Sequence, residues 1–126
     1  MDEAVIKKIQ PNSAEAEQSV IGSMLMDRDA IVDVADILTK DDFYYSQYGL
    51  LFEAMVKLYN EGKPVDLLTV SNKLKEMGAP DSVSSMEYVG DIIAVVPTST
   101  HAKQYARIVQ DKATLRKMIK FTEKTT

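Results

Sequence analysis

Gln47-Tyr48-Gly49-Leu50-Leu51-Phe52-Glu53-Ala54-Met55-Val56-Lys57-Leu58-Tyr59-Asn60-Glu61 is the most strongly patterned stretch of the chain. Six of its apolar side chains, Tyr48, Leu51, Phe52, Met55, Leu58 and Tyr59, fall at i, i+3, i+4, i+7, i+10 and i+11, the spacing of one helical face. Gly62 and then Pro64 follow in the order that ends a helix. Downstream, Asp66 can cap a fourth helix that carries Leu67, Val70, Leu74 and Met77 at the same period until Gly78 and Pro80 break it. Ala79 to Val83, with Pro80, Asp81 and Ser82, reads as the one loop with real freedom. Ser84-Ser85-Met86-Glu87 has the form of a capping box and leads into Met86, Val89, Ile92, Ile93 and Val96, which Pro97 terminates. Thr98 or Ser99 then caps the last and longest helix, about Thr100 to Thr122, with Ala102, Tyr105, Ala106, Val109, Leu115 and Ile119. A turn this short sets the last two helices antiparallel, as a hairpin.

Upstream of the central helix, Phe43, Tyr44 and Tyr45 cluster between helices, as a partner hot spot or as a plug on the core; Phe43 reads as plug. A second helix opens near Asp29, carries Ile31, Val34, Ala35 and Leu38, and closes around Lys40. The first follows Pro11, where Asn12-Ser13-Ala14-Glu15 resembles a capping box, and its face is Ala16, Val20, Ile21, Met24 and Leu25, with Gly22 inside it permitting close packing. The expected fold is therefore all-α: a compact bundle of about six helices with a C-terminal antiparallel hairpin at about 84–124, preceded by a flexible lead at 1–12, the domain itself running over 13–126.

At 126 residues, 45% hydrophobic and 27% charged, the chain fits one globular domain able to bury a core. No apolar run approaches the roughly 20 residues of a membrane span, and Met1-Asp2-Glu3-Ala4 lacks the pattern of a secretory signal, so the expected location is cytoplasmic and no membrane partner is expected. The absence of cysteine excludes disulfides, thiolate metal sites and cysteine nucleophiles. The net charge of −4 hides an asymmetry. Residues 1–100 carry 8 Lys/Arg against 17 Asp/Glu, a balance of −9, whereas residues 101–126 carry 7 against 2, a balance of +5. The basic end reads either as a surface for acidic partners or as a solvated helix face. The last helix is also apolar beyond its core stripe, at Ile108, Leu115, Met118, Ile119 and Phe121. Such a helix buries a second side against another chain, or is a long helix fraying at its end.

Chemistry is sparse. Gly22, Gly49, Gly62, Gly78 and Gly90 stand singly, so no phosphate loop or dinucleotide turn is present. Asp41 and Asp42 more readily begin a turn or cap a helix than form an acid/base pair. His101, the single histidine, has no neighbour at metal spacing, and Ser13, Ser46, Ser84 and Ser99 sit where caps are wanted. Met24, Met55, Met77 and Met86 fall on core faces by spacing, leaving Met118 as an interface candidate. The basic last helix lacks interleaved exposed aromatics, which argues against autonomous DNA binding.

Pro11-Asn12-Ser13-Ala14-Glu15-Ala16-Glu17-Gln18-Ser19-Val20-Ile21-Gly22 resembles the opening signature of the N-terminal domain of DnaB-type replicative helicases. The resemblance continues through Asp42-Phe43-Tyr44, Phe52 and Ala54, Gly62 with Pro64-Val65-Asp66, Thr69-Val70, Tyr88, Val96-Pro97-Thr98, Tyr105-Ala106-Arg107-Ile108-Val109 and Leu115-Arg116, covering roughly residues 11–120. Two positions depart from the pattern: Tyr48 stands where the family commonly has histidine, and His101 where it commonly has asparagine. The resemblance implies a non-catalytic domain whose hairpins pair between subunits, as a dimer or as a trimer of dimers within a hexamer, and which docks primase and in some bacteria a helicase loader. It implies no cofactor in this domain; ATP and Mg belong to the motor domain, which is not in this chain, and single-stranded DNA is met only through the full-length ring. By position, Glu15, Tyr88, Arg116 and Ile119 are the expected partner-contact residues, joined by Met118. Arg116 has a fork able to pair twice with a carboxylate, Tyr88 a rigid amphipathic ring and Ile119 dry area. The competing readings are the helicase-binding domain at the C-terminus of primase, whose fold is similar but which lacks the Glu-Ala-Glu-Gln and Pro-Val-Asp signatures, and a small helical enzyme.

Overall fold

The cap of the first helix falls on Ser13, whose Oγ accepts the Ala16 amide at 3.2 Å, one residue later than the Asn12–Glu15 pattern suggests. Asn12 is used otherwise: its Nδ2 donates to the Gln10 carbonyl and its Oδ1 accepts the Tyr45 hydroxyl. The computed structural model describes residues 10–94 and 101–125. Among them every helix is short except the last: α1 (Ala14–Met26), α2 (Arg28–Ala35), α3 (Ser46–Asn60), α4 (Leu67–Glu76), α5 (Asp81–Ser84), α6 (Met86–Ala94) and α7 (Ala102–Thr125), with a 3-10 turn at Lys40–Asp42. Most of the expected lead, and the turn bearing Val96, Pro97, Thr98 and Ser99, lie outside the described residues.

The all-α bundle is as the periodicity predicts, and α1 is its hub. Ala16, Val20, Ile21 and Met24 are buried, and the helix touches α2, α3, α6 and α7. Leu51, Phe52, Met55 and Leu58 of α3 fill the middle of the core, with Val70 and Leu74 of α4 beside them. Phe43 is the expected plug, buried with its ring centroid 5.2 Å from that of Phe52. Gly62 (φ 71°) and Gly78 (φ 80°) supply the left-handed residue that ends α3 and α4, a conformation that costs other residues steric strain. Asp66 caps α4 by accepting the Thr69 amide while Thr69 Oγ1 accepts the Asp66 amide. Arg28 pins the loop after α3 to the start of α2, donating to the Lys63 carbonyl at 2.7 Å with its guanidinium 4.6 Å from the Tyr59 ring centroid.

Several local expectations are corrected. The stretch Ala79–Val83 is not a free loop, because α5 begins at Asp81 and the Ser71 hydroxyl donates to the Ser84 carbonyl, tying the turn to α4. Ser85, not Ser84, caps α6 by accepting the Tyr88 amide, and Ser84 Oγ is buried without a partner. Ser46 is the first helical residue of α3 rather than its cap. Met86 is 47% exposed rather than core. It is the first residue of α6, where the Cα–Cβ bond tilts toward the helix N-terminus and off its end. α6 rests on α1, α4 and α5, whereas α7 rests on α1 and α2, so the two final helices flank α1.

Candidate docking surface

α7 approaches α1 through small side chains. Ala102, Ala106, Val109 and Ala113 are all buried and recur at i, i+4, i+7 and i+11, a narrow stripe that lets two helices come close. Gln110 extends the seat by donating from Nε2 to the Ile37 carbonyl, two residues past the end of α2. On the far side the same helix exposes apolar area: Ile108, Leu115, Met118 and Phe121 are 41–70% exposed, and Ile119 is half-buried. Ile108 and Leu115 are seven residues apart and Met118 three further on, the a-and-d spacing of a helix that pairs with another helix. Large exposed apolar side chains along one helix face are uncommon on an isolated domain and mark a surface that meets something else.

Just past the last buried alanine, Arg116 crosses back to the body. Its Nη1 donates to the Pro11 carbonyl at 2.8 Å and its Nη2 to the Asp42 carbonyl at 2.6 Å, while the guanidinium lies 5.4 Å from the centroid of the Tyr44 ring. Lys117 Nζ stands 3.4 Å from Asp42 Oδ1. Asp42 in turn accepts the Thr39 amide at 2.8 Å, the turn-forming role expected of the Asp41–Asp42 pair. Asp41, Ala113, Arg116, Lys117 and Lys120 line a cleft of about 390 Å³ beside this contact, with three of the helix's basic side chains on it.

The aromatic loop is set by a residue that the sequence reading passed over. Glu17, only 1% exposed, points from α1 to the start of α3, where Oε2 accepts the Tyr44 amide at 3.0 Å and Oε1 the Tyr45 amide at 3.2 Å. Tyr45 makes no side-chain cap of its own, so the Glu17 carboxylate serves amide groups at the positive end of α3. Burial raises the Glu17 carboxyl above its ordinary range; the two amides and the Arg116 charge oppose that rise without cancelling it. The signal was present in the periodicity: position 17 lies between Ala16 and Val20 on the face that α1 buries. Gly49 allows the turn to approach α3, since a Cβ there would lie 3.1 Å from the Lys40 carbonyl oxygen.

The expected contact residues are distributed over this region. Glu15 is exposed in the first turn of α1. Tyr88 is half-buried, its phenol raised in pKa chiefly by burial and then by Tyr48, with the Gln47 hydrogen bond opposing. Tyr48 is raised likewise by burial, then by Glu17 and Tyr45. Ring contacts link Tyr44 to Tyr45 at 5.0 Å and Tyr45 to Tyr48 at 5.8 Å. Met118 and Ile119 lie on the outer half of α7 beyond Arg116. Among the described residues no three His, Cys, Asp or Glu side chains gather as a metal site, and no helix is long and apolar enough to cross a membrane.

Together these elements define an all-α helical domain with exposed apolar side chains on its last helix and a half-buried tyrosine cluster. Residues 9–111 match the family model described as the DnaB-like helicase N terminal domain, and the chain belongs to that family. It is 36% identical over 120 residues to the replicative DNA helicase DnaB of Geobacillus stearothermophilus, covering 95% of this chain and 26% of that protein. It is 34% identical over 113 residues to DnaB of Leifsonia xyli, covering 90% of this chain and 25% of that protein. The chain thus spans about a quarter of the length of these relatives. The N-terminal domain of DnaB helicase from Mycobacterium tuberculosis superposes with a TM-score of 0.88 at 36% identity, over 92% of this chain and 81% of that one. A domain of the same fold from Helicobacter pylori DnaB, whose structure is described together with its interactions with primase, gives a TM-score of 0.76 at 24% identity, over 87% and 85% of the two chains. These findings place the chain on the helicase side and not with the helicase-binding domain of primase.

Proposed function

We propose that this domain serves a cytoplasmic replicative DNA helicase as its assembly and docking module, pairing subunits in the hexamer collar and receiving primase during replication. The observation that carries the reading is the exposed apolar line of Ile108, Leu115, Met118 and Phe121 on a helix whose opposite face is already committed to α1. The description of the Helicobacter pylori domain with primase supports the choice of partner. Glu15, Tyr88 and Arg116 are the further partner contacts of this reading, with Met118 and Ile119 contributing dry area. A helicase loader is a further partner of the same surface. ATP, Mg and single-stranded DNA are handled by the motor of the full-length ring, and the domain itself carries no motor and no phosphate loop.

The test is capture of the purified domain on the immobilised helicase-binding domain of the matching primase. Binding that is lost in Ile119→Asp at unchanged helical content supports the reading. Equal retention of parent and variant, or ATP turnover by the domain alone, contradicts it.

A further inference from the structure

We propose that Arg116 is a strut that fixes the direction of the outer half of α7, and that Glu17 and Asp42 set the strut through the aromatic loop. The inference rests on the docking reading for its consequence, since the outer half presents Leu115, Met118 and Ile119, but its geometry is independent of any partner.

The buried apolar residues described on α7 end at Ala113; among the side chains described beyond it, to Thr122, only Arg116 and Ile119 are even half-buried. From Arg116 to Thr122 the helix runs about 9 Å. A bend of α7 past Ala113 therefore moves Leu115, Met118 and Phe121 relative to the body, while Ala102, Ala106, Val109 and Ala113, and Ile108 among them, stay where they are on α1. A polar contact standing at that boundary decides the angle. The guanidinium is planar with a rigid fork of donors, so two donated bonds and one ring contact leave it a single orientation. Its acceptors come from two remote parts of the chain: Pro11 before α1, and Asp42 at the end of the 3-10 turn. Both acceptors are neutral carbonyls, whose placement depends on other contacts. The Asp42 backbone is fixed by its own carboxylate on the Thr39 amide. Pro11 precedes Asn12, which accepts the Tyr45 hydroxyl at 3.1 Å. Tyr44, under the guanidinium, and Tyr45 are held by Glu17. The lead, the loop and α7 meet at one side chain, so a partner that moves the loop or the lead also turns the outer half of α7.

Because the chain has no cysteine, two can be introduced for spin labels. Lys57→Cys on α3 with Thr122→Cys on α7 reports the angle; Val32→Cys with Lys57→Cys reports the body alone. Distance distributions are measured by pulsed electron resonance at a dilution where the domain is monomeric. The expected result is a narrow α3–α7 distance that broadens roughly two-fold in Arg116→Met and in Arg116→Lys, which keeps charge but loses the fork, and in Glu17→Gln, with the body distance unchanged in all three. An α3–α7 distance that stays narrow in the Arg116 variants overturns the strut. Equal broadening of both distances also overturns it, because Arg116 would then hold the fold together rather than aim the helix. If the distances respond as expected but the parent neither associates nor binds primase, the docking reading fails and the strut stands.

Discussion

The middle of the bundle and the far end of α7 are both rich in apolar side chains, yet they are built to opposite rules. Around α3, Leu51, Phe52, Met55 and Leu58 are enclosed on all sides, and the backbone groups of the neighbouring loop are satisfied from within, by Glu17 and by Asp42. On the outer half of α7, Leu115, Met118 and Phe121 face outward and the link to the body is a guanidinium on two carbonyls. The first region holds the domain together; the second leaves its apolar side chains at the surface, where the proposed partner would cover them. Hydrophobic content alone does not distinguish them, and their partners do.

Substitutions can break that contrast or sharpen it. Phe52→Ala removes a buried ring packed at a tilt against Phe43 and should lower unfolding stability by about 3–5 kcal/mol, read from urea denaturation. Glu17→Ala leaves the Tyr44 and Tyr45 amides without their acceptor, and about 2–3 kcal/mol should be lost by the same measurement. The pH dependence of Glu17 is smaller and has a defined sign. Its carboxyl is raised above the ordinary 4.5, chiefly by burial, so its contribution is fully present below pH 4.5 and is lost as pH rises through the raised value. The stability advantage of the parent over Glu17→Gln should therefore be greater near pH 4 than at pH 7. A gap that is flat or that widens toward neutrality would show that the two amides outweigh desolvation. The smallest effect is expected at Met118→Asp, 60% exposed, where the urea midpoint should correspond to a change within about 0.5 kcal/mol; a loss comparable to that of Phe52→Ala would mean that the outer face is core.

The periodicity of residues 47–61 and the order Gly62, Pro64, Asp66 made the central helices legible, because a 3.6-residue pattern and a positive-φ glycine are local properties. Short and conditional elements were not. α5 forms inside a Pro-Asp-Ser stretch because Ser71, on another helix, bonds its end, and Met86 looked like core because spacing does not show that a helix's first side chain overhangs the body. The apolar excess of the last helix was visible as Ile108, Leu115, Met118, Ile119 and Phe121. The struts were not: Arg28 reaches Lys63, and Arg116 reaches Pro11 and Asp42, across 35 to 105 residues, and nothing local marks which carbonyl a guanidinium will meet. Glu17 lay between these cases, since its place on a buried face was readable but its acceptor role needed the aromatic loop in space.

The central claim is that the outer face of α7 is covered by another protein molecule, and sedimentation of the parent and of Met118→Asp over a concentration series, alone and with the primase helicase-binding domain, tests it most directly. The account predicts concentration-dependent association of the parent, a co-sedimenting complex with primase, and a weakening of both in the variant at unchanged helical content. A parent that stays monomeric and ignores primase at every concentration, or a variant that behaves like the parent, would contradict it.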